Sequence, residues 1–131
     1  MRAIKFKNND YLDSTGIVHN KIILKNYFTT NTAQVEKSDE INNNHTNITL
    51  RKNGNIVSLQ GVIYFSATKS KWTTFMIVPV GYNGVTGYGN LIEESTGKTY
   101  PVIVQDNGQV QCSVDITNAN AYYYININYS L

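Results

Sequence analysis

The sequence predicts an all-β protein, an antiparallel seven-stranded β-barrel or sandwich with a short N-terminal hairpin extension. Three observations carry that reading. Apolar residues alternate with polar ones at a period of two from Thr46 onward, as in strands with one face on a core. The pairs Asn53-Gly54, Asn83-Gly84 and Asn107-Gly108 supply residues that tolerate positive φ, which tight hairpin turns require. The turn signals recur at the short, regular spacing of sandwiches and barrels.

In chain order, residues 1–28 read as a small hairpin or attachment segment, with a turn at Asp13-Ser14-Thr15-Gly16 before the run IVHNKIILKNYF. Residues 29–45 are polar, with Glu36, Lys37, Asp39, Glu40 and an Asn42-Asn43-Asn44 run, and read as a linker or as a short surface helix over 33–41. The head domain then occupies 46–131, with strands expected near 46–53, 55–65, 73–79, 85–93, 98–105, 109–116 and 122–131. Expected core faces are Val57, Leu59, Ile63 and Phe65; Thr73, Phe75, Ile77 and Pro79; Val110, Cys112, Val114 and Ile116; and Tyr123, Ile125, Ile127, Tyr129 and Leu131. Pro101 cannot donate to a ladder, so the fifth strand is expected at a sheet edge or to begin late. No heptad pattern supports a coiled coil.

Composition removes several function classes. A net charge of +2 is too small for a nucleic-acid-binding face, and no apolar run is long enough to cross a bilayer. The start MRAIKFKNND lacks the apolar centre of a signal peptide. The single cysteine, Cys112, alternates onto an apolar face and reads as a buried core thiol, with no disulfide framework or cysteine-based zinc site. His19 and His45 lack partners at ligand spacing, and Lys69 and Lys71 read as solubility residues flanking a loop. Asn, Ile, Tyr and Lys make up more than a third of the chain, the mark of a low-GC genome; in so Asn-rich a sequence, three Asn-x-Ser/Thr sequons arise by chance.

Catalysis finds little footing either. There is no Gly-x-Ser-x-Gly elbow. Glu93, Glu94, Asp106 and Asp115 are the carboxylates available for glycoside hydrolysis, but Glu93 and Glu94 point to opposite faces of a strand and all four read as solvated charges. The glycine-rich run over 81–89 lacks the Gly-Lys-Ser/Thr ending of a phosphate loop. It does carry Tyr82, Asn83 and Tyr88. Aromatic rings stack on the apolar faces of sugars while Asn and Asp hydrogen-bond hydroxyls, so a shallow, non-catalytic saccharide site is the chemistry these residues suit. If strands run up and down, the Asn53-Gly54 turn, the 81–84 loop and the 106–108 turn gather at one end. Tyr82 would then be the stacking platform and Asn83, Asp106 and Asn107 the hydrogen-bonding groups. Lys69, Lys71, Trp72, Thr96 and 118–120 fall at the other end, where Trp72 is either a core cap or a second sugar platform. No cofactor is expected.

The pattern Leu50-x-Lys52-x-Gly54-x-x-Val57-x-Leu59-x-Gly61-x-x-x-Phe65, followed by Trp72, Pro79, Gly81-Tyr82, Asn107-Gly108 and a tyrosine-rich last strand, resembles the head domain of receptor-binding proteins at the tail tip or baseplate of lactococcal-type siphophages, which infect low-GC Gram-positive bacteria. The segments Lys5-Phe6-Lys7-Asn8-Asn9 and Asp13-Ser14-Thr15-Gly16-Ile17-Val18-His19-Asn20 resemble a piece found upstream of such heads. The resemblance covers about two thirds of the chain. It implies a homotrimer of antiparallel β-barrels in the virion, bound to other tail or baseplate proteins, that attaches to a host cell-wall saccharide or glycerol-phosphate polymer without catalysis and without membrane insertion. The chain lacks the long shoulder and interlaced neck of fuller family members, and no saccharide contact carries over. A structural trimeric cap or decoration module, binding only virion proteins, is the competing expectation. A bacterial secreted lectin is a third, disfavoured by the absent signal peptide.

Overall fold

A computed structural model describes residues 30–131; the hairpin expected over 1–28, with His19, lies outside them. The unit Asn31–Leu131 is an antiparallel sheet curled into a half-barrel. Its strands are β1 (Thr30–Ala33), β2 (Glu36–Lys37), β3 (Asn47–Asn53), β4 (Ile56–Phe65), β5 (Thr74–Ile77), β6 (Gly87–Glu93), β7 (Thr99–Val104), β8 (Gln109–Cys112) and β9 (Ala121–Ser130). Their order across the sheet is β1-β3-β4-β9-β6-β7-β8-β5-β2.

All seven expected strands are present, but the sheet has nine, and the two extra ones come from the segment read as a linker or helix. Only Gln34 and Val35 separate β1 from β2, yet the two strands form opposite edges of the sheet. This short segment is polar because an edge strand turns only alternate residues inward: Ala33 and Val35 pack on the core, Gln34 and Glu36 face out. Ile41 is fully buried and bridges Phe65. The body therefore begins near residue 30 rather than 46.

The core is the inner face of the curled sheet. Val57, Leu59, Ile63 and Phe65 of β4 and Tyr123, Ile125, Ile127 and Tyr129 of β9 are all buried, as alternation predicts. Phe75, Phe65, Tyr123 and Tyr100 meet edge to face in that order, at centroid distances of 5.3–5.7 Å, a favourable arrangement for ring quadrupoles. β5 departs from the prediction. Thr74 pairs with Gln111 but Met76 with Val110, so Phe75 is an extra residue. The bulge switches the parity: Phe75, Met76 and Val78 are buried and Ile77 is exposed. Val114 is also exposed, because β8 ends at Cys112, and Leu131 lies beyond the last ladder pair of β9.

β7 is internal, not an edge. The β7–β8 ladder begins at Val102, so the missing Pro101 N–H falls outside it, and the Pro101 carbonyl accepts from Ser113 N–H. Strong curvature is permitted by strand glycines. Gly61 on β4 has φ 142°, and a Cβ there would collide with the Asn47 carbonyl; one on Gly89 would strike the Asn126 carbonyl and Ile127.

The order is not up-and-down, since β9 inserts between β4 and β6. The pairings are antiparallel throughout, so alternate connections still share an end. One end, called here the turn end, holds 54–55, 78–86 and 105–108. The opposite, loop end holds 38–46, 66–73, 94–98 and 113–120.

Candidate functional site

At the turn end, Gly54 takes φ 63° in a two-residue turn closed by the Asn53–Ile56 pair. The second hairpin closes through Gly108 N–H to Gln105 O, with Gly108 at φ 93°. The loop between β5 and β6 is tied to both: Lys52 Nζ donates to Gly81 O at 2.7 Å, Val78 N to Gly108 O at 2.8 Å and Gly84 N to Asp106 O at 2.9 Å. The expected grouping of 53–54, 81–84 and 106–108 is thus present, with Tyr82, Asn83, Asp106 and Asn107 together. Their roles differ from the expectation. Tyr82 is only 8% exposed; Lys52 Nζ sits 4.9 Å from its ring centroid, and the Tyr129 hydroxyl donates to its carbonyl. A ring covered by a cation on one side and by core on the other is a core closure, not an open stacking platform. Asn107 Oδ1 accepts from Gln109 N at 3.0 Å, which commits it to the turn. Asn83 is half-buried and Asp106 is exposed. Tyr88, at the start of β6, is 69% exposed on the outer face.

The loop end presents Trp72 differently. It is 51% exposed and has φ 62°. The left-handed region costs an L-residue about 1–2 kcal/mol, and a bulky side chain there is a genuine outlier. The surrounding backbone holds it. Trp72 N donates to Cys112 O at 2.8 Å, Thr73 N to Ser70 O at 3.3 Å, and the preceding Lys71 N to Asp115 Oδ1 at 2.8 Å. Lys69 bridges Ile116 through its backbone. Its ammonium, largely covered rather than a free solubility group, pairs with Glu40 at 2.7 Å. That hydrogen bond holds the Glu40 carboxyl below its ordinary pKa. A cavity of about 230 Å³ beside this turn is lined by Thr68, Lys69, Ser70, Asp115, Ile116 and Thr117. Trp72 is thus not a core cap but an aromatic ring held outward on a strained, well-tied turn.

The same end carries a buried carboxylate that the sequence reading placed in solvent. Glu93 is 1% exposed, on the inward parity of Leu91, while Glu94 faces out as expected. Its oxygens accept from Tyr100 OH at 2.8 Å, Asn118 Nδ2 at 2.6 Å and Ser95 Oγ at 3.2 Å, and Tyr123 OH donates to Asn118 O at 2.7 Å. Burial alone raises its pKa, but the hydrogen bonds from Tyr100, Asn118 and Ser95 together outweigh it and hold the group below the usual carboxylate range. Tyr100, Tyr123 and Tyr129 are pushed up by burial, Tyr129 to about 12. Cys112 is buried and its thiol is pushed up to about 12 by burial, which leaves it protonated and unreactive at neutral pH. The Glu93 network ties the β6–β7 hairpin to the 117–120 loop beneath the Trp72 end.

The outer face of the sheet gathers a further aromatic group. His45, Tyr64 and Tyr122 cluster there, with Tyr64 and Tyr122 edge to face at 4.9 Å and the Tyr122 hydroxyl 3.3 Å from His45 Nδ1. Alternation shows Tyr64 and Tyr122 facing out. The β4–β9 pairing, between residues far apart in the chain, sets these two side by side, and His45 joins them from the single 3-10 turn Asn43–His45. No protein-family model matches the chain, and no curated protein matches it.

Proposed function

We propose that this chain is the head of a phage tail receptor-binding protein, attaching the virion to a host cell-wall saccharide without catalysis. The observation that carries the reading is Trp72, a large aromatic ring more than half exposed on a turn whose backbone strain is maintained by three hydrogen bonds. Strain that a fold maintains around an exposed residue argues for a role outside packing. Beside it lie the hydroxyls of Thr68, Ser70 and Thr117 and the carboxylate of Asp115, the partners a sugar's hydroxyls require. Tyr88 and Asp106 at the far end stand as secondary contacts, and Tyr82 as a core residue rather than the platform. In this reading the barrel-type head works as a homotrimer at the tail tip or baseplate, held to other tail proteins, and many weak sites combine into firm adsorption.

Adsorption to purified cell walls of low-GC Gram-positive bacteria tests it. Trp72→Ala, still folded by circular dichroism, is expected to lose adsorption that Tyr88→Ala largely retains; equal adsorption by Trp72→Ala and the parent overturns the site.

A second reading, a structural cap or decoration module that binds only virion proteins, draws on one observation. Tyr124, Ile92 and Ile56 stand exposed on the same outer face as the Tyr64–Tyr122 pair, and aromatic, partly polar faces of this sort suit protein interfaces. A chain that binds isolated tail proteins but no wall polysaccharide would favour it.

A further inference from the structure

The outer face of β3, β4 and β9 forms three cross-strand rows: Arg51-Ser58-Asn128, Thr49-Gln60-Asn126 and Asn47-Val62-Tyr124. Successive rows lie about 7 Å apart along the strands. Two adjoining depressions run across them. One, of about 360 Å³, is lined by Asn47, Thr49, Arg51, Ser58, Gln60 and neighbouring 61–62; the other, of about 340 Å³, shares Gln60, Gly61 and Val62 and adds Tyr124 and Asn126. Each reaches the size of a small-ligand site, roughly 300 Å³ or more. Gly61, which has no side chain, lies where they join.

The polar groups of this face are already oriented. Ser58 Oγ donates to Asn128 Oδ1 at 2.7 Å, Asn128 Nδ2 to Asn126 Oδ1 at 3.0 Å, and Gln60 Nε2 to the same Asn126 oxygen at 3.3 Å. This ladder fills both lone pairs of Asn126 Oδ1 and leaves the Asn126 amide N–H groups, Gln60 Oε1 and one Asn128 Oδ1 lone pair unengaged by it. Donors and acceptors then alternate across the face, as a chain of hydroxyls needs. Tyr124, 44% exposed, offers a ring at the third row. Among the described residues, Arg51, in the first row, is the only charged side chain lining either depression.

We infer that this face is a second, elongated binding groove within one subunit, separate from the Trp72 end, for an oligosaccharide that stacks on Tyr124, hydrogen-bonds Gln60 and Asn126, and carries an anionic group at Arg51. The inference rests on the receptor-binding reading only for the ligand being a saccharide. The anionic group is a carboxylate or a phosphate, both of which a guanidinium engages through paired N–H donors.

Titration of the ¹⁵N-labelled 131-residue chain, followed by amide NMR, tests the groove with three probes: a hyaluronan tetrasaccharide, a phosphate monoester of maltotetraose and neutral maltotetraose. At least one anionic probe is expected to shift the amides of Arg51, Ser58, Gln60 and Asn126, and which one responds identifies the anion. Maltotetraose should bind about tenfold more weakly. Arg51→Gln, at an exposed position, should remove that preference, and Tyr124→Ala should weaken all binding at the groove. The groove is overturned if no probe shifts those four amides, if shifts are confined to the residues around Trp72, or if Arg51→Gln binds the anionic probes like the parent. Groove shifts in a protein that adsorbs to no cell wall would uphold the groove and contradict the receptor reading. Adsorption lost in Trp72→Ala, with no groove shifts in the parent, would overturn the groove alone.

Discussion

The two ends of the sheet are built from similar materials and use them in opposite ways. Each has an aromatic residue in a loop after or before β5, a lysine nearby and Asn-rich turns. At the turn end the lysine covers the ring: Lys52 lies over Tyr82 and bonds Gly81 O, and the loop closes the core. At the loop end Lys69 turns away to Glu40, and the turn holds Trp72 out into solvent. Positive φ falls only on glycine at the turn end, at 54, 81, 84 and 108, whereas at the loop end it falls on Trp72 and Asn120 as well as on Gly97. The difference teaches that an aromatic residue in a turn is not a binding platform by composition. What matters is whether the scaffold covers its faces or maintains its exposure against a conformational cost.

The largest expected effect sharpens the role of the segment that runs along both edges. A chain beginning at Asn44 lacks β1, β2, Ile41 and the Glu40 partner of Lys69. Loss of Ile41 alone forfeits about 1.5–3 kcal/mol of burial. That chain is expected to show no cooperative thermal transition, whereas one beginning at Thr30 should melt cooperatively; identical melting of the two would show that the edges contribute nothing.

Next is Glu93, the anchor beneath the exposed end. Glu93→Ala orphans the buried Tyr100 hydroxyl and leaves the exposed Asn118 amide to water, and is expected to cost roughly 1–3 kcal/mol in chemical denaturation, the cost of one buried unsatisfied group. The pH dependence has a definite sign. Glu93 and Glu40 both have folded-state pKa values below the ordinary 4.5. Their contribution is fully present above the unfolded-state value and is lost as pH falls through the folded-state values. Denaturant midpoints should therefore be insensitive to these groups near neutrality and decline below about pH 4.5, the ordinary value. Glu93→Gln should flatten that acid decline; an unchanged slope would remove Glu93 from the account.

A smaller effect contrasts the two rings directly. Lys52→Ala uncovers Tyr82 and should cost about 1 kcal/mol. Trp72→Gly relieves a left-handed conformation and should leave stability within about 1 kcal/mol of the parent. A large loss on Trp72→Gly would mean that Trp72 is a packing residue after all, and the distinction between the ends would collapse.

Much of the fold was legible because alternation survives wherever a strand is regular. β3, β4, β6 and β9 follow it, and Glu93 itself lies on the inward parity set by Leu91, so its burial could have been read from the same pattern. The Phe75 bulge could not, because one extra residue inverts parity without any local signal. Nor could β1 and β2, whose polar residues look like a linker until both sheet edges are in place. The loop grouping at each end followed from antiparallel alternation even though the strand order did not. The roles within each group did not follow. Burial of Tyr82 depends on Lys52 and Tyr129, distant in sequence, and a positive φ at tryptophan has no sequence signature.

The claim that the two ends differ in function is tested most directly by equilibrium binding of host cell-wall polysaccharide to matched, folded variants, one altered at each end. Trp72→Ala is expected to reduce affinity at least about tenfold, the loss of a stacking contact of about 1.4 kcal/mol, while Asp106→Ala at the turn end changes it less than twofold, within about 0.4 kcal/mol. Unchanged binding by Trp72→Ala together with loss on Asp106→Ala would place recognition at the turn end and contradict the account.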